Sequence, residues 1–331
     1  HISWAIMSTN EYSYLHVVKP HLHFPDKERI PAKHYPFAKT KLEWLKSEEH
    51  LIKEGQDSFY LYLITDKINN ISYPGIIGLA SVKEFLEGKI KKHENTLTKK
   101  EEALVEHMDY VKAVGEPVLL FFNEDNWFDE LLASLVGVNP EYDFSGDDGL
   151  HHQLWVIKNQ DSIKKIQEGA LSTSAFYIAD GHHRSAGAAR YFDKQIKNNS
   201  LNEDDPAAWF MAYFIPASKI RLYEFNRVVK DLNGLSEDEF IKKLELQFIV
   251  EKIGAAKLSV KKKSYRFGMY MNKVWYGLDF IKSPENLSVL DGLDVSLIEN
   301  EILKPILGIK DSKTDERLSF IDGRKGIARL Q

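Results

Sequence analysis

Two spacings of apolar residues recur along the chain and predict strands and helices in turn. Runs of aliphatic and aromatic residues predict strands over residues 58–65, 74–81, 116–122, 154–157, 175–179, 208–215, 264–270 and 274–280. Apolar residues spaced three or four positions apart predict helices over residues 38–51, 81–88, 98–114, 127–136, 160–170, 182–192, 236–248 and 294–302. Because the two kinds of element alternate over most of the length, we expect a mixed α/β (α+β) fold.

Local signals refine several of these elements. Ser81 is followed three residues later by Glu84, and Ser236 by Glu239, which is the spacing of an N-terminal capping box. The helix over residues 38–51 has scattered leucines among charges and is expected at the surface, and residues 139–149 are expected to form a turn-rich loop. The neighbouring strands 58–65 and 74–81, and likewise 264–270 and 274–280, are expected to pair as hairpins.

Composition excludes several classes of protein. The 331 residues are 43% hydrophobic and 28% charged, which is close to the average for globular proteins. The formal net charge of −5 gives no overall attraction to nucleic acid or to an anionic membrane. Cysteine is absent, which excludes disulfides and thiolate chemistry and fits a cytoplasmic location. Since no apolar run approaches the roughly 20 residues of a membrane span, we expect no transmembrane segment.

The segment with the clearest chemistry is Asp180–Arg184, whose sequence is Asp-Gly-His-His-Arg. It lies between the predicted strand 175–179 and a helix that is rich in small residues. Two histidines and an arginine are unusual at a helix N-terminus, where free amides and the helix dipole favour negative charge. We therefore expect an anion there, held by the amides and by Arg184, with Asp180 capping the helix and Gly181 allowing close approach.

A metal site is the competing interpretation of Asp180, His182 and His183. Adjacent residues of a helix point about 100° apart, so the two histidines are badly placed to hold one ion. Their spacing also matches no common zinc pattern. We expect no metal ligands in the chain, and the sequence contains neither a P-loop nor a Gly-x-Ser-x-Gly motif.

The Asp-Gly-His-His-Arg string resembles that of a microbial family known as domain of unknown function 1015. The resemblance extends over nearly the whole chain, through Tyr14-Leu-His-Val, Ile77-Gly-Leu-Ala-Ser-Val, Ile90-Lys-Lys-His-Glu-Asn-Thr, Glu116-Pro-Val, His152-Gln-Leu-Trp and Thr314-Asp-Glu-Arg. The same string is similar to the phosphate-binding motif of free serine kinases, which share the ParB/sulfiredoxin fold and phosphorylate the hydroxyl of L-serine. That second resemblance covers residues 89–192.

The kinase resemblance implies a division of the chain and a set of site residues. It implies a ParB/sulfiredoxin-like nucleotide-binding core over residues 89–200, an N-terminal α/β region over 1–88 and a C-terminal α+β region over 201–331. Asp180, Gly181, His182, His183 and Arg184 would then bind phosphate together with Lys92, while Glu94 would be the catalytic base with His93 beside it. A carboxylate suits that role because the acceptor hydroxyl must lose its proton during transfer.

The function that this resemblance implies is phosphoryl transfer from ATP or ADP, with Mg²⁺, to a small hydroxylated metabolite such as L-serine. The alternative is a non-catalytic ParB-like protein that senses a nucleotide or binds nucleic acid. The net charge of −5 disfavours the nucleic-acid version. The oligomeric state, the acceptor and the choice between ATP and ADP are left open by the sequence.

Overall fold

A computed structural model describes residues 2–94, 96–123, 126–135, 137–198, 205–254, 265–281, 287–312 and 314–323. The chain divides into two compact units, His1–Arg221 and Leu222–Gln331. Each unit contains helices and sheet, which confirms the mixed α/β class. These units differ from the three regions expected over 1–88, 89–200 and 201–331, because strands from all three belong to one sheet.

The first unit is built on an eight-stranded sheet with the strand order β3-β7-β4-β8-β2-β1-β6-β5. The strands are β1 (Phe59–Asp66), β2 (Ile71–Ser81), β3 (Ile90–Lys91), β4 (Val118–Phe122), β5 (Tyr142–Ser145), β6 (His151–Ile157), β7 (Phe176–Asp180) and β8 (Trp209–Pro216). Strand β7 is parallel to β3 and β4 is parallel to β8, whereas the other neighbours are antiparallel. The hairpin expected between β1 and β2 is confirmed.

The first unit also contains α-helices. They are α1 (Ile2–Thr9), α2 (Leu15–Val18), α3 (Pro31–Ser47), α4 (Val82–Leu86), α5 (Thr98–Val111), α6 (Asn126–Ser134), α7 (Gln160–Ser172) and α8 (His182–Asn198). Helix α3 begins at Pro31, earlier than the predicted residue 38, since proline is well tolerated in a first helical turn. It lies at the surface as expected, with exposed residues on one side and His34, Tyr35, Ala38, Leu42 and Leu45 buried on the other. Residues 142–145 of the expected loop form the edge strand β5.

The core of the first unit follows the alternation of strand residues. Val118, Leu120 and Phe122 of β4 are buried, while the two residues between them are only partly buried. Helix α8 packs closely through its small residues. A Cβ atom on Gly187 would lie 3.1 Å from the Cβ of Leu104 in α5, so glycine permits the close contact of these two helices. The position of α8 is thereby tightly defined at the end that carries the Asp180–Arg184 segment.

The second unit contains two small sheets and its own core. Its elements are β9 (Phe225–Val229), α9 (Glu237–Leu244), β10 (Phe248–Ile253), β11 (Arg266–Met271), β12 (Val274–Phe280), α10 (Asp294–Ile298), a π-helical segment (Glu299–Leu303) and β13 (Leu318–Asp322). Strands β10, β12 and β11 form one antiparallel sheet, and β13 pairs with β9. The expected capping box at Ser236 and Glu239 is present. The expected hairpin forms between β11 and β12, while residue 264 lies outside the described residues.

Candidate phosphate-binding turn and its neighbours

The Asp180–Arg184 segment is the turn between β7 and α8. Gly181 has a φ angle of +96°, a backbone conformation that is strongly unfavourable for residues with a side chain. A Cβ atom at this position would also lie 2.9 Å from Nε of Arg184, so glycine lets the arginine fold back over the turn. Helix α8 begins at His182, directly after this glycine. The structure thus has the strand, tight turn and helix that the sequence predicts here.

Arg184 is held over the turn by two carboxylates. Its Nη1 donates to Oε2 of Glu116 at 2.9 Å, and its Nη2 donates to Asp180. Asp180 was expected to cap α8, but its described hydrogen bond goes to the guanidinium instead. The carbonyl of Gly181 accepts from the amides of Arg184 and Ser185. Among the described hydrogen bonds, the amides of His182 and His183 have no acceptor, so they are available to an anionic ligand.

Strand pairing brings Glu94 to this turn. In the parallel pair of β3 and β7, Lys91 lies opposite Tyr177. Glu94 and Asp180 each follow three residues later, so both emerge from the same edge of the sheet. Oε2 of Glu94 lies 4.0 Å from Nδ1 of His182, and the ring of His93 packs edge-on against the ring of His182 with centroids 4.4 Å apart. The predicted base and the predicted phosphate turn are therefore neighbours.

His182 is the buried member of this group. Only 7% of its surface is exposed, and its Nε2 has no hydrogen-bond partner among the described residues. Burial lowers the pKa of His182, His93 lowers it further, and Glu94 and Asp180 oppose the shift. The imidazole is thus favoured in its neutral form, which keeps one nitrogen as a donor and the other as an acceptor.

Lys92 lies apart from the cavity wall to which Arg184 belongs. It lines an open groove of about 590 Å³ together with Thr96, Glu101 and Arg190, on another side of α8. Lys92 is exposed, and the described residues that line the Arg184 cavity do not include it. The structure therefore brings together Glu94, His93 and the Asp180–Arg184 turn, but it does not show Lys92 joining them at phosphate-binding distance.

A charged network that the sequence did not reveal connects the Glu94 loop with α8. The carboxylate of Glu101 accepts from Thr96 and from Nε and Nη2 of Arg190, at 3.0 and 2.6 Å for the arginine. Glu101 is only 7% exposed, and the hydrogen bond from Thr96 and the pairing with Arg190 lower its pKa. Glu101 and Arg190 are separated by 89 positions, so no local pattern indicates the pair.

A family model described as "Protein of unknown function (DUF1015)" matches residues 4–296, which is most of the chain. The chain belongs to this family. No curated protein and no solved structure matches it. The match covers both the first unit and much of the second, so the Asp180–Arg184 turn and its neighbours all lie within the family region.

Two further findings concern the described part of this family member. No group of three or more His, Asp or Glu side chains among the described residues is arranged to hold a metal ion. Within the same ranges, no helix has the length and apolar character needed to cross a bilayer.

We expect the protein to become less stable as the pH falls from 7.5 to 5.5. Burial is the first cause of a lowered pKa at His21, His23, His34, His107 and His182. An unfolded histidine has a pKa of about 6.5 and takes up a proton below it, whereas these folded histidines resist protonation. The unfolded state therefore binds more protons in this window, and the free energy of unfolding decreases as pH falls. Urea unfolding at pH 7.5 and 5.5 measures this, and equal or greater stability at pH 5.5 contradicts it.

Proposed function

We propose that this protein is a nucleotide-dependent small-molecule kinase with a ParB/sulfiredoxin-like core, which transfers a phosphoryl group to a hydroxyl such as that of free L-serine. The observation that carries the proposal is the position of Glu94, whose carboxylate lies 4.0 Å from His182 in the first turn of α8. A carboxylate beside a helix N-terminus with free amides combines the two parts that phosphoryl transfer requires, a proton acceptor and an anion site.

The phosphates of ATP or ADP would lie against the first turn of α8. The amides of His182 and His183 would donate to phosphate oxygens, and Gly181 lets the backbone approach them closely. Arg184 would turn part of its guanidinium to the phosphate. Its present partners, Asp180 and Glu116, have side chains that are 73% and 60% exposed, so both carboxylates are accessible. Mg²⁺ is commonly held by one or two carboxylates together with phosphate oxygens, and it would neutralise charge on the transferred group.

The acceptor would lie between this turn and Glu94. The side chain of Glu94 is half exposed, so a small metabolite can reach it. The hydroxyl oxygen attacks the terminal phosphorus, the bond from phosphorus to the bridging oxygen breaks, and the hydroxyl proton passes to Glu94. His93 packs against His182 and would limit the orientation of that ring. The nucleotide loses one phosphate and the acceptor becomes a phosphate ester.

A non-catalytic protein that senses a nucleotide or binds nucleic acid is the second candidate, because the phosphate-binding turn alone would serve it. The two functions differ in what Glu94 contributes, since a sensor does not need a base at 4.0 Å from His182. Incubation with [γ-³²P]ATP, Mg²⁺ and a panel of hydroxylated amino acids separates them. Nucleotide binding without any phosphorylated product supports the sensor, and a gel shift that weakens with added salt supports nucleic-acid binding.

Replacing Arg184 by alanine is expected to weaken Mg²⁺–ATP binding by about 10- to 150-fold, the range for a lost hydrogen bond to a charged group. Calorimetric titration measures the change. Arg221→Ala is the matched control, because Arg221 is exposed and lies at the end of the first unit. Arg184→Lys should recover part of the affinity through its charge. Unchanged affinity in Arg184→Ala would remove the phosphate site from this turn.

A further inference from the structure

The cavity whose wall includes Arg184 has a volume of about 440 Å³ and lies in the first unit beside α3, α5 and the start of α8. Its polar lining includes His21, His34, Lys100, His107 and His183. The rest of its wall is largely apolar and includes Leu104, Met108 and Phe210. The volume falls within the range of about 300–1,000 Å³ that is usual for small-molecule sites, and a mostly apolar wall with a few polar groups is also typical of them.

His34 is the most informative residue of this cavity. It is 8% exposed, and both of its ring nitrogens lack hydrogen-bond partners among the described residues. Its ring stacks on Tyr35 with centroids 4.3 Å apart, which fixes its orientation. A buried imidazole normally finds a partner for each nitrogen, so His34, which lines the cavity, retains hydrogen-bonding capacity that no described residue uses. The Nδ1 atom of His183 is a further buried nitrogen without a described hydrogen-bond partner.

The charges around the cavity favour an anion. Lys19, Lys100 and Arg184 line it, while Glu116 is the acidic residue among the described lining and already pairs with Arg184. Burial lowers the pKa of His34, and the nearby rings of His21 and His107 lower it further, since these groups would repel one another when protonated. A bound anion would offset this repulsion and accept a hydrogen bond from His34.

We propose that this cavity binds a small organic anion, with its carboxylate or phosphate head hydrogen-bonded by His34 and its apolar body packed against Leu104, Met108 and Phe210. Lys100 and Lys19 attract the head, and His183 supplies a further donor on the α8 wall. The proposal goes beyond the kinase function, because it requires neither Glu94 nor phosphoryl transfer. Arg184 and His183 line the cavity and also belong to the proposed nucleotide site, so the two sites adjoin.

Three probes with the same ring test the proposal on the full chain. Benzoate and phenyl phosphate carry the two anionic heads, and benzamide has nearly the shape of benzoate without its charge. Isothermal titration at pH 7.5 is expected to show binding of at least one anion, with benzamide at least tenfold weaker. The stronger of the two anions identifies the head as a carboxylate or a phosphate. ATP is titrated into the same preparation, so that loss of nucleotide binding and loss of anion binding are recorded separately.

Variants then locate the bound probe. His34→Leu is expected to weaken the preferred anion at least tenfold, and His34→Gln, which keeps an amide donor, to weaken it less. His50→Leu is the control, because His50 is an exposed histidine packed against Tyr12 and outside the cavity. Thermal unfolding shows whether each variant is folded. If the His34 variants are unfolded, Lys100→Gln, at an exposed position, replaces them in the binding test. The proposal is wrong if neither anion binds at 10 mM or if benzamide binds as tightly as the anions do. It is also wrong if the His34 variants, or Lys100→Gln used in their place, bind the preferred anion with unchanged affinity.

Discussion

Replacing Glu94 by glutamine is expected to lower the rate of phosphoryl transfer by at least about 100-fold, the lower end of what a general base contributes. Glutamine keeps the size of the side chain but cannot accept the hydroxyl proton. The affinity for Mg²⁺–ATP should change by less than about threefold, because in the proposed site the phosphates lie against the α8 turn and not against Glu94. Initial rates with [γ-³²P]ATP and calorimetric titration measure the two effects.

The control for this variant is Glu87→Gln, which removes another exposed carboxylate, at the C-terminal end of α4. Its transfer rate should equal that of the unmodified protein. A Glu94→Gln variant that retains full activity would show that another group takes the proton. If both activity and nucleotide affinity collapse together, Glu94 instead belongs to the binding of the nucleotide.

Replacing Arg190 by methionine is expected to reduce the free energy of unfolding by about 1–3 kcal/mol, the cost of leaving a buried polar group without its partner. The group concerned is the carboxylate of Glu101, which is 7% exposed and accepts both arginine bonds. The unbranched side chain of methionine keeps part of the apolar contacts that the aliphatic portion of the arginine makes. Because Glu101 also accepts from Thr96, the loop that carries Glu94 should lose order, and transfer activity should fall more than nucleotide affinity does.

A second substitution separates stability from positioning. In the double variant Arg190→Met with Glu101→Leu, no unpaired charge remains, so most of the lost stability should return. Activity should stay low, since the Glu101→Leu substitution removes the acceptor of Thr96. Lys197→Met is the control on the same helix, at an exposed position. Full activity in the double variant would show that the network supports the fold alone, and unchanged stability in Arg190→Met would show that Glu101 finds another partner.

Local chemistry accounts for the elements that the sequence predicts well. The alternating burial of Val118, Leu120 and Phe122 follows from side chains pointing to opposite faces of a strand. The capping box of α9 follows from Ser236 and Glu239 alone. Where the prediction failed, the local signal was weak or ambiguous. The two-residue strand β3 has no period to detect, and the start of α3 was placed at residue 38 because the prolines before it indicated an extended segment.

The sequence by itself determined the strand, glycine turn and helix that form the Asp180–Arg184 segment, because each of these depends on neighbouring residues. It also led us to expect an anion at the helix N-terminus. Only the tertiary structure decided what lies beside that turn. The parallel register of β3 and β7 brings Glu94 to His182, and the packing of α5 on α8 pairs Glu101 with Arg190. These contacts join distant parts of the chain, and their formation depends on how the whole sheet and its helices pack together.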